Sequence, residues 1–329
     1  MSTIGGLTLI EMLVSLALAG LIMAGLGGVI GQAFNTYDSI GEQNRLTEDG
    51  RFAMEAMTRA VSHSHALLLP LNDNPATAWQ EHIREQSEQG LPPFTTAPIS
   101  GPPIGAAPIA TAVLAIALPA YFDLDRNGIA DADDDGDGLI DEDFGSNRTA
   151  SGVPGIYLID DDGDGMVDEG IAASDDETAS VDSDPINGID DDGDISVDED
   201  PPADMNADGC PGKCDIDDDF DGDVDEGSSE DDDEDGDINE DPFNPLVFYL
   251  MNGQLFQRTP VPYDIDSDND IDGQDFIAQV IAENVSRFRV ERILPIGAGP
   301  QLIDIAIDLT SSTGATVSLQ TRVRLGGAL

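Results

Sequence analysis

The chain opens on an apolar run. From Leu7 to Gly31 it is rich in Leu, Ala, Ile and Gly, and Glu11 is the single charge. As a helix rising about 1.5 Å per residue, this run is long enough to cross a bilayer core of roughly 30 Å. Beyond Gln32 polar and apolar residues mix at helical spacing: Phe34, Tyr37 and Ile40, then Phe52, Ala53, Ala56, Met57, Ala60 and Val61. The pattern predicts one helix continuing to about Leu68, kinked near Asp49-Gly50 and stopped by Pro70. Residues 71–110, rich in Pro, Ala and Gly, predict a connection with one short helix near Trp79 to Glu88.

The later apolar segments change period. Thr111 to Pro119 (TAVLAIALP) reads as a buried strand. Leu246 to Met251, Asn252-Gly253 and Gln254 to Gln257 read as a hairpin with a tight turn. Val285 to Ile293 alternates imperfectly, and Leu302 to Leu309 places Ile303, Ile305, Ile307 and Leu309 on one face. After a turn at Ser311 to Gly314, Ala315 to Val323 places Val317, Leu319, Thr321 and Val323 together. The expected fold class is α+β: a long N-terminal helix packed on a C-terminal antiparallel sheet. The apolar sheet face needs a cover, and the C-terminal half of the helix is the natural one.

Charge divides the chain further. Its 329 residues carry 67 Asp and Glu against 13 Lys and Arg, a formal net charge of -54. That excludes nucleic-acid contact through basic patches and argues against docking onto anionic lipid by charge. About two thirds of the acidic residues lie between Asp123 and Asp241, so the charge belongs mainly to one inserted segment.

Within that segment the acidity has a pattern. Carboxylates recur at alternate positions, often followed by Gly, an aliphatic residue and Asp-Glu. A first unit is Asp123, Asp125, Asn127, Gly128 and Asp131; a second is Asp133, Asp135, Asp137, Gly138, Ile140, Asp141 and Glu142. A third runs Asp160, Asp162, Asp164, Gly165, Val167, Asp168 and Glu169, and a fourth Asp190, Asp192, Asp194, Val197, Asp198 and Glu199. Then come Asp217, Asp219, Asp221, Gly222, Val224, Asp225 and Glu226, and Asp231, Asp233, Asp235, Gly236, Ile238, Asn239 and Glu240. A seventh candidate is Asp264, Asp266, Asp268, Asp270, Asp272 and Asp275.

Positions 1, 3 and 5 of a coiled loop point inward and offer hard oxygen ligands to Ca²⁺, and Gly at position 6 permits the sharp turn. The aliphatic residue at position 8 can pack beneath the loop, and the acid at position 9 can ligate directly or through water. Several Ca²⁺ ions are the cofactor this predicts. The competing reading is a solvated acidic linker that holds cations loosely. Mg²⁺ fits less well because it keeps its waters, and transition metals prefer His or Cys. His63, His65 and His82 lie outside the repeats and read as surface or framework residues.

Cys210 and Cys214 stand in a C-x3-C spacing, too long for a thioredoxin-type pair and too few for a zinc site. They read as a small staple disulfide in an oxidising compartment, with free thiols as the other reading. No nucleophile elbow, phosphate-binding glycine loop or distinct acid/base pair stands out, so no enzyme is expected.

The N-terminal sequence Gly6-Leu7-Thr8-Leu9-Ile10-Glu11, followed by Met12-Leu13-Val14, resembles the class III leader and N-terminus of type IV pilins and type II secretion pseudopilins. The resemblance implies cleavage between Gly6 and Leu7 by a prepilin peptidase, methylation of the new N-terminus, and Glu11 as the fifth mature residue. Leu7 departs from the usual Phe, and the leader lacks the common basic residue. A carboxylate at Glu11 is expensive in hydrocarbon, and the amine of a neighbouring subunit could offset it and set axial register. Glu11 and the missing basic region weigh against a plain anchor or secretory signal.

Leu246 to Arg258 and Ala282 to Arg292 resemble the large minor pilins of the PilW and GspJ type. The acidic units resemble the first nine positions of EF-hand loops, dockerin repeats and thrombospondin type 3 modules. They depart from the EF-hand in placing Glu at position 10 rather than 12, without flanking helices.

The expected organisation is a leader at 1–6, a membrane or filament-core helix at 7–31 and its amphipathic continuation at 32–69. A linker and first strand follow at 70–119, calcium loops at 120–245 and the completing sheet at 246–329. The resemblance implies a structural pilus or pseudopilus subunit, minor or tip-associated, held in the inner membrane before assembly and then in a filament in the periplasm or on the cell surface. Its partners would be other pilin subunits, the prepilin peptidase and the inner-membrane assembly platform. The alternatives are a major subunit of a calcium-stabilised filament and a membrane-tethered, calcium-dependent adhesin that never polymerises.

Overall fold

A computed structural model describes residues 9–72, 80–87, 112–293 and 301–326, except 137, 164, 178–183, 192–197, 199, 219, 220, 239, 266, 268 and 270, and without the side chains of Glu11 and Asn35. Gly6, Leu7, the Glu11 side chain, Asp137, Asp164, Asp192, Asp194, Glu199, Asp219, Asn239, Asp266, Asp268 and Asp270 therefore lie outside the described residues.

The first element is one helix, α1, Leu9–His63, of 55 residues, roughly 80 Å long. It runs unbroken through Asp49-Gly50, where a kink was expected. A Cβ on Gly50 would stand 2.7 Å from Leu319 Cδ1 and 2.9 Å from Leu309 Cδ1. The glycine lets the helix lie close on the sheet rather than bending it. The helix also ends earlier than the expected Leu68. The Ser64 amide still bonds the Ala60 carbonyl, but the Ser64 hydroxyl donates to the Ala66 and Ala117 carbonyls and turns the chain into the sheet.

Among the described residues nine strands follow: β1 Leu67–Leu69, β2 Ile83–Ser87, β3 Val113–Ala117, β4 Pro245–Met251, β5 Gln254–Pro260, β6 Phe276–Glu283, β7 Val285–Ile293, β8 Leu302–Thr310 and β9 Thr316–Arg324. They form two antiparallel sheets, one ordered β1-β3-β4-β5-β6 and the other β2-β7-β8-β9. The expected β4–β5 hairpin is present, with Asn252 and Gly253 at φ 52° and 75°, which suits a tight hairpin turn. Strand β2 replaces the short helix expected near Trp79 to Glu88. Its Glu85 lies against Arg287 and Arg289 of β7, so cross-strand charge pairing overrides local helix propensity.

The lower half of α1 supplies Leu46, Ala53, Met57, Ala60 and Val61 to the core. They meet Leu114, Ile116, Leu246, Phe248 and Leu250 from one sheet and Phe288, Val290, Ile303, Ile305, Ile307 and Leu309 from the other. The opposite face of β3 and β4 is also covered: Val113, Ala115, Val247 and Tyr249 pack against Ile156 and Ile159 of the acidic insertion. Burial on both faces explains why β3 reads as an unbroken apolar run instead of alternating. The insertion runs from β3 to β4, and a shorter acidic loop joins β5 to β6.

Candidate metal centres

The acidic units share one backbone design. The carboxylate at position 1 turns back over its own loop. Asp160 Oδ1 accepts the Gly163 amide at 2.7 Å and Oδ2 the Gly165 amide at 3.1 Å, and Asp264 treats Ser267 and Asn269 in the same way. Asp123 Oδ2 takes the Gly128 amide at 3.2 Å. At position 9, Asp141, Asp168, Asp198 and Asp225 all have positive φ, between 53° and 60°. Asp tolerates this left-handed conformation better than most non-glycine residues, a local reason for its recurrence there.

A second rule was not visible in the spacing. The amide at position 2 donates to a carboxylate from outside the first three positions. Leu124 donates to Asp131, Asp134 to Asp241, Asp161 to Glu177, Asp191 to Asp184, Asp218 to Glu234, Asp232 to Asp143 and Ile265 to Asp275. In four loops the same carboxylate also takes the amide at position 9. Asp241 accepts Asp141, Glu177 accepts Asp168, Glu234 accepts Asp225 and Asp275 accepts Asp272. Each of these four loops is thereby clamped closed by one side chain, which for the Asp133 loop comes from far along the chain.

The same rule exposes a loop that the sequence reading missed. Asp204, Asn206, Asp208 and Gly209 occupy positions 1, 3, 5 and 6. Asp204 Oδ2 accepts the Gly209 amide at 2.9 Å, and the Met205 amide donates to Asp232. The D-x-N-x-D-G spacing was legible, but the cysteines and Pro211 that follow obscured it. The described residues of 147–177 and 204–234 also share a pattern of positive φ. Positive φ recurs at Ala150 and Ala207, Leu158 and Asp215, Asp168 and Asp225, and Glu177 and Glu234.

Among the described residues carboxylate oxygens gather within 4.8 Å of one another in four purely acidic clusters: Asp123, Asp125 and Asp131; Asp160, Asp162 and Glu177; Asp143, Asp231 and Asp233; and Asp135, Asp233, Asp235 and Glu240. Glu177 and Asp143 are additions that spacing did not predict. The position-9 acids divide. Asp131 joins its cluster, whereas Asp168, Asp198 and Asp225 accept the amides of Leu158, Gly188 and Asp215 just ahead of their loops. Asp141 pairs with His65 Nε2 at 3.1 Å. Asn127 turns its side-chain oxygen onto the Ile129 amide, and Asp133 and Asp221 accept the amides of Gly136 and Asp223. Asp190, Asp217 and the position-10 residues Glu142, Glu169 and Glu226 join no such cluster among the described residues. Position 8 is divided too: Ile140 packs against the main core, while Val224 and Ile238 are exposed.

Among the buried carboxylate oxygens without a hydrogen-bond partner, Asp123 Oδ1, Asp204 Oδ1, Asp217 Oδ1 and Asp231 Oδ1 stand at position 1. Buried carboxylate oxygens are costly unless bonded, paired or ligating. The oxygen-only donor sets around Asp123 and Asp231 suit Ca²⁺. Burial and crowding act on the same groups. Burial and nearby Asp241 push Asp134 up to about 7, and burial and nearby Asp143 push Glu240 up to about 8. Burial above all pushes Asp175 up to about 8.

Two arginines tie the loops to the sheets. Arg84 of β2 is 1 % exposed and donates to the carbonyls of Asp160 and Asp161. Arg258 of β5 donates to the carbonyls of Tyr157 and Gly273 and lies 3.7 Å above the Phe276 ring. Cys210 and Cys214 form the expected disulfide, so their sulfurs offer no thiolate beside Asp208. No protein-family profile matches this chain, and neither a curated protein nor a solved structure matches it.

Proposed function

We propose that this chain is a structural subunit of a type IV pilus or pseudopilus, minor or tip-associated, with an outer domain stabilised by several Ca²⁺ ions. The observation that carries the reading is the division of α1. Its first half is apolar yet bare, with Leu16 77 %, Leu21 75 % and Met23 74 % exposed, while Leu46 on the same helix is 2 % exposed. An apolar helix of that length and composition suits a membrane span. A helix that is apolar all round needs lipid or other apolar helices around it. A single-pass segment that later packs among identical helices meets both needs. Glu11 supplies the register in this reading, by pairing with a neighbour's N-terminal amine.

Calcium would be held by the position 1 and 3 carboxylates with Asp131, Glu177, Asp143 or Glu240, supplying the charge that lets crowded acids fold together. The test is assembly. With a pilus machinery present, the full chain is expected in sheared filaments with its N-terminus at Leu7. Glu11→Ala should leave it in the membrane fraction. A wild-type chain that stays uncleaved and outside filaments would favour the tethered alternative.

A further inference from the structure

The loops beginning at Asp133 and Asp231 lie at opposite ends of the insertion in sequence but exchange their closing carboxylates. Asp241, just beyond the second loop, accepts the Asp134 and Asp141 amides of the first at 2.9 and 2.6 Å. Asp143, just beyond the first, accepts the Asp232 amide of the second at 3.4 Å. A further backbone bond, from the Asp241 amide to the Asp143 carbonyl, ties the two tails together.

Asp233 belongs to two clusters at this junction. One joins it to Asp143 and Asp231, the other to Asp135, Asp235 and Glu240. Asp143 and Asp231 are 0 % and 1 % exposed. Asp231 Oδ1 is buried with no hydrogen-bond partner, at the heart of the first cluster. Both carboxylate oxygens of Glu240, in the second cluster, are also buried with no hydrogen-bond partner. Buried carboxylates gathered this closely repel unless a cation lies between them. Each cluster has oxygen donors only, the set that hard divalent ions take.

We infer that the Asp133 and Asp231 loops form one centre holding two calcium ions, with Asp233 bridging them, so that cation binding fastens the two ends of the insertion together. The inference rests on the calcium reading above. One ion lies among Asp143, Asp231 and Asp233, the other among Asp135, Asp233, Asp235 and Glu240. Neither loop completes its site alone, so the two ions bind together.

Calcium stoichiometry of the detergent-solubilised full chain, measured by equilibrium dialysis against calcium alone, tests this. Asp233→Asn is expected to lose two ions relative to wild type. Asp162→Asn, in a separate loop, should lose one. Glu240→Gln keeps the bridge and should lose one ion or bind it at least tenfold more weakly. Limited proteolysis in calcium should cut Asp233→Asn near both residue 140 and residue 240, with the helix–sheet core intact. A wild type that binds several ions, with Asp233→Asn losing one or none, overturns the shared centre and leaves the calcium reading standing. A wild type that binds none overturns both.

Discussion

The framework and the insertion are stabilised by opposite means. The framework buries Met57, Phe248, Phe288 and Ile305 in a continuous apolar core between one helix and two sheets. The insertion has small apolar patches, such as Ile156 with Ile159 and Phe144 with Met205, and is otherwise organised by carboxylates bonded to backbone amides. Apolar burial works without a ligand, whereas clustered carboxylates repel until a cation or a proton intervenes. The framework should therefore be indifferent to calcium and the insertion governed by it.

The largest expected effect comes from chelation. Each calcium site saturated a hundredfold above its dissociation constant stabilises the folded form by about 2.7 kcal/mol, and several sites act on one segment. Adding chelator to the full chain should expose residues 118–244 to protease while the helix–sheet core survives. Equal resistance with and without calcium would erase the contrast between the regions.

Next in size is a core truncation. Phe288 is 0 % exposed, and Phe288→Ala should destabilise the framework by about 3–5 kcal/mol. Chemical denaturation monitored on the sheet should show the same loss in calcium and in chelator. A loss that depended on calcium would mean that the two regions fold as one unit.

A third way to separate the regions is pH without calcium. Asp134, Asp175 and Glu240 have folded values of about 7, 8 and 8, against about 4 in an unfolded chain. Folded values above unfolded ones mean that the folded insertion binds more protons. The stability they contribute is complete below about pH 4 and fades as pH rises through about 7–8. In chelator, the residual protease resistance of the insertion should therefore be lower at about pH 8 than at about pH 5. Calcium should narrow or reverse that difference, because it replaces the protons.

Much of this was legible because it is local. The hairpin at Asn252-Gly253 follows from two residues that accept positive φ, and the apolar rows of β8 and β9 from period-two alternation. Asp160 and Asp162 were identifiable as members of one carboxylate cluster because positions 1 and 3 face inward by the geometry of the loop itself. Strand β6 was missed because Ile277 and Val280 are exposed and give no alternating pattern on this edge strand. Glu177, Glu234 and Asp143 were missed because each serves a loop to which its own spacing does not assign it.

The sequence by itself determined the long apolar helix, the strands β3, β4, β5, β7, β8 and β9, the disulfide, and the clustering of carboxylates such as Asp123 with Asp125 and Asp160 with Asp162. Those features depend on bonds and periodicities within a few residues. Only the tertiary structure decided that the strands divide into two sheets, that residues 83–87 extend rather than coil, and that Gly50 serves close packing. It also decided which carboxylate closes which loop. Asp143 and Asp241 meet across the whole insertion because the flanking strands β3 and β4 pair and bring its ends together.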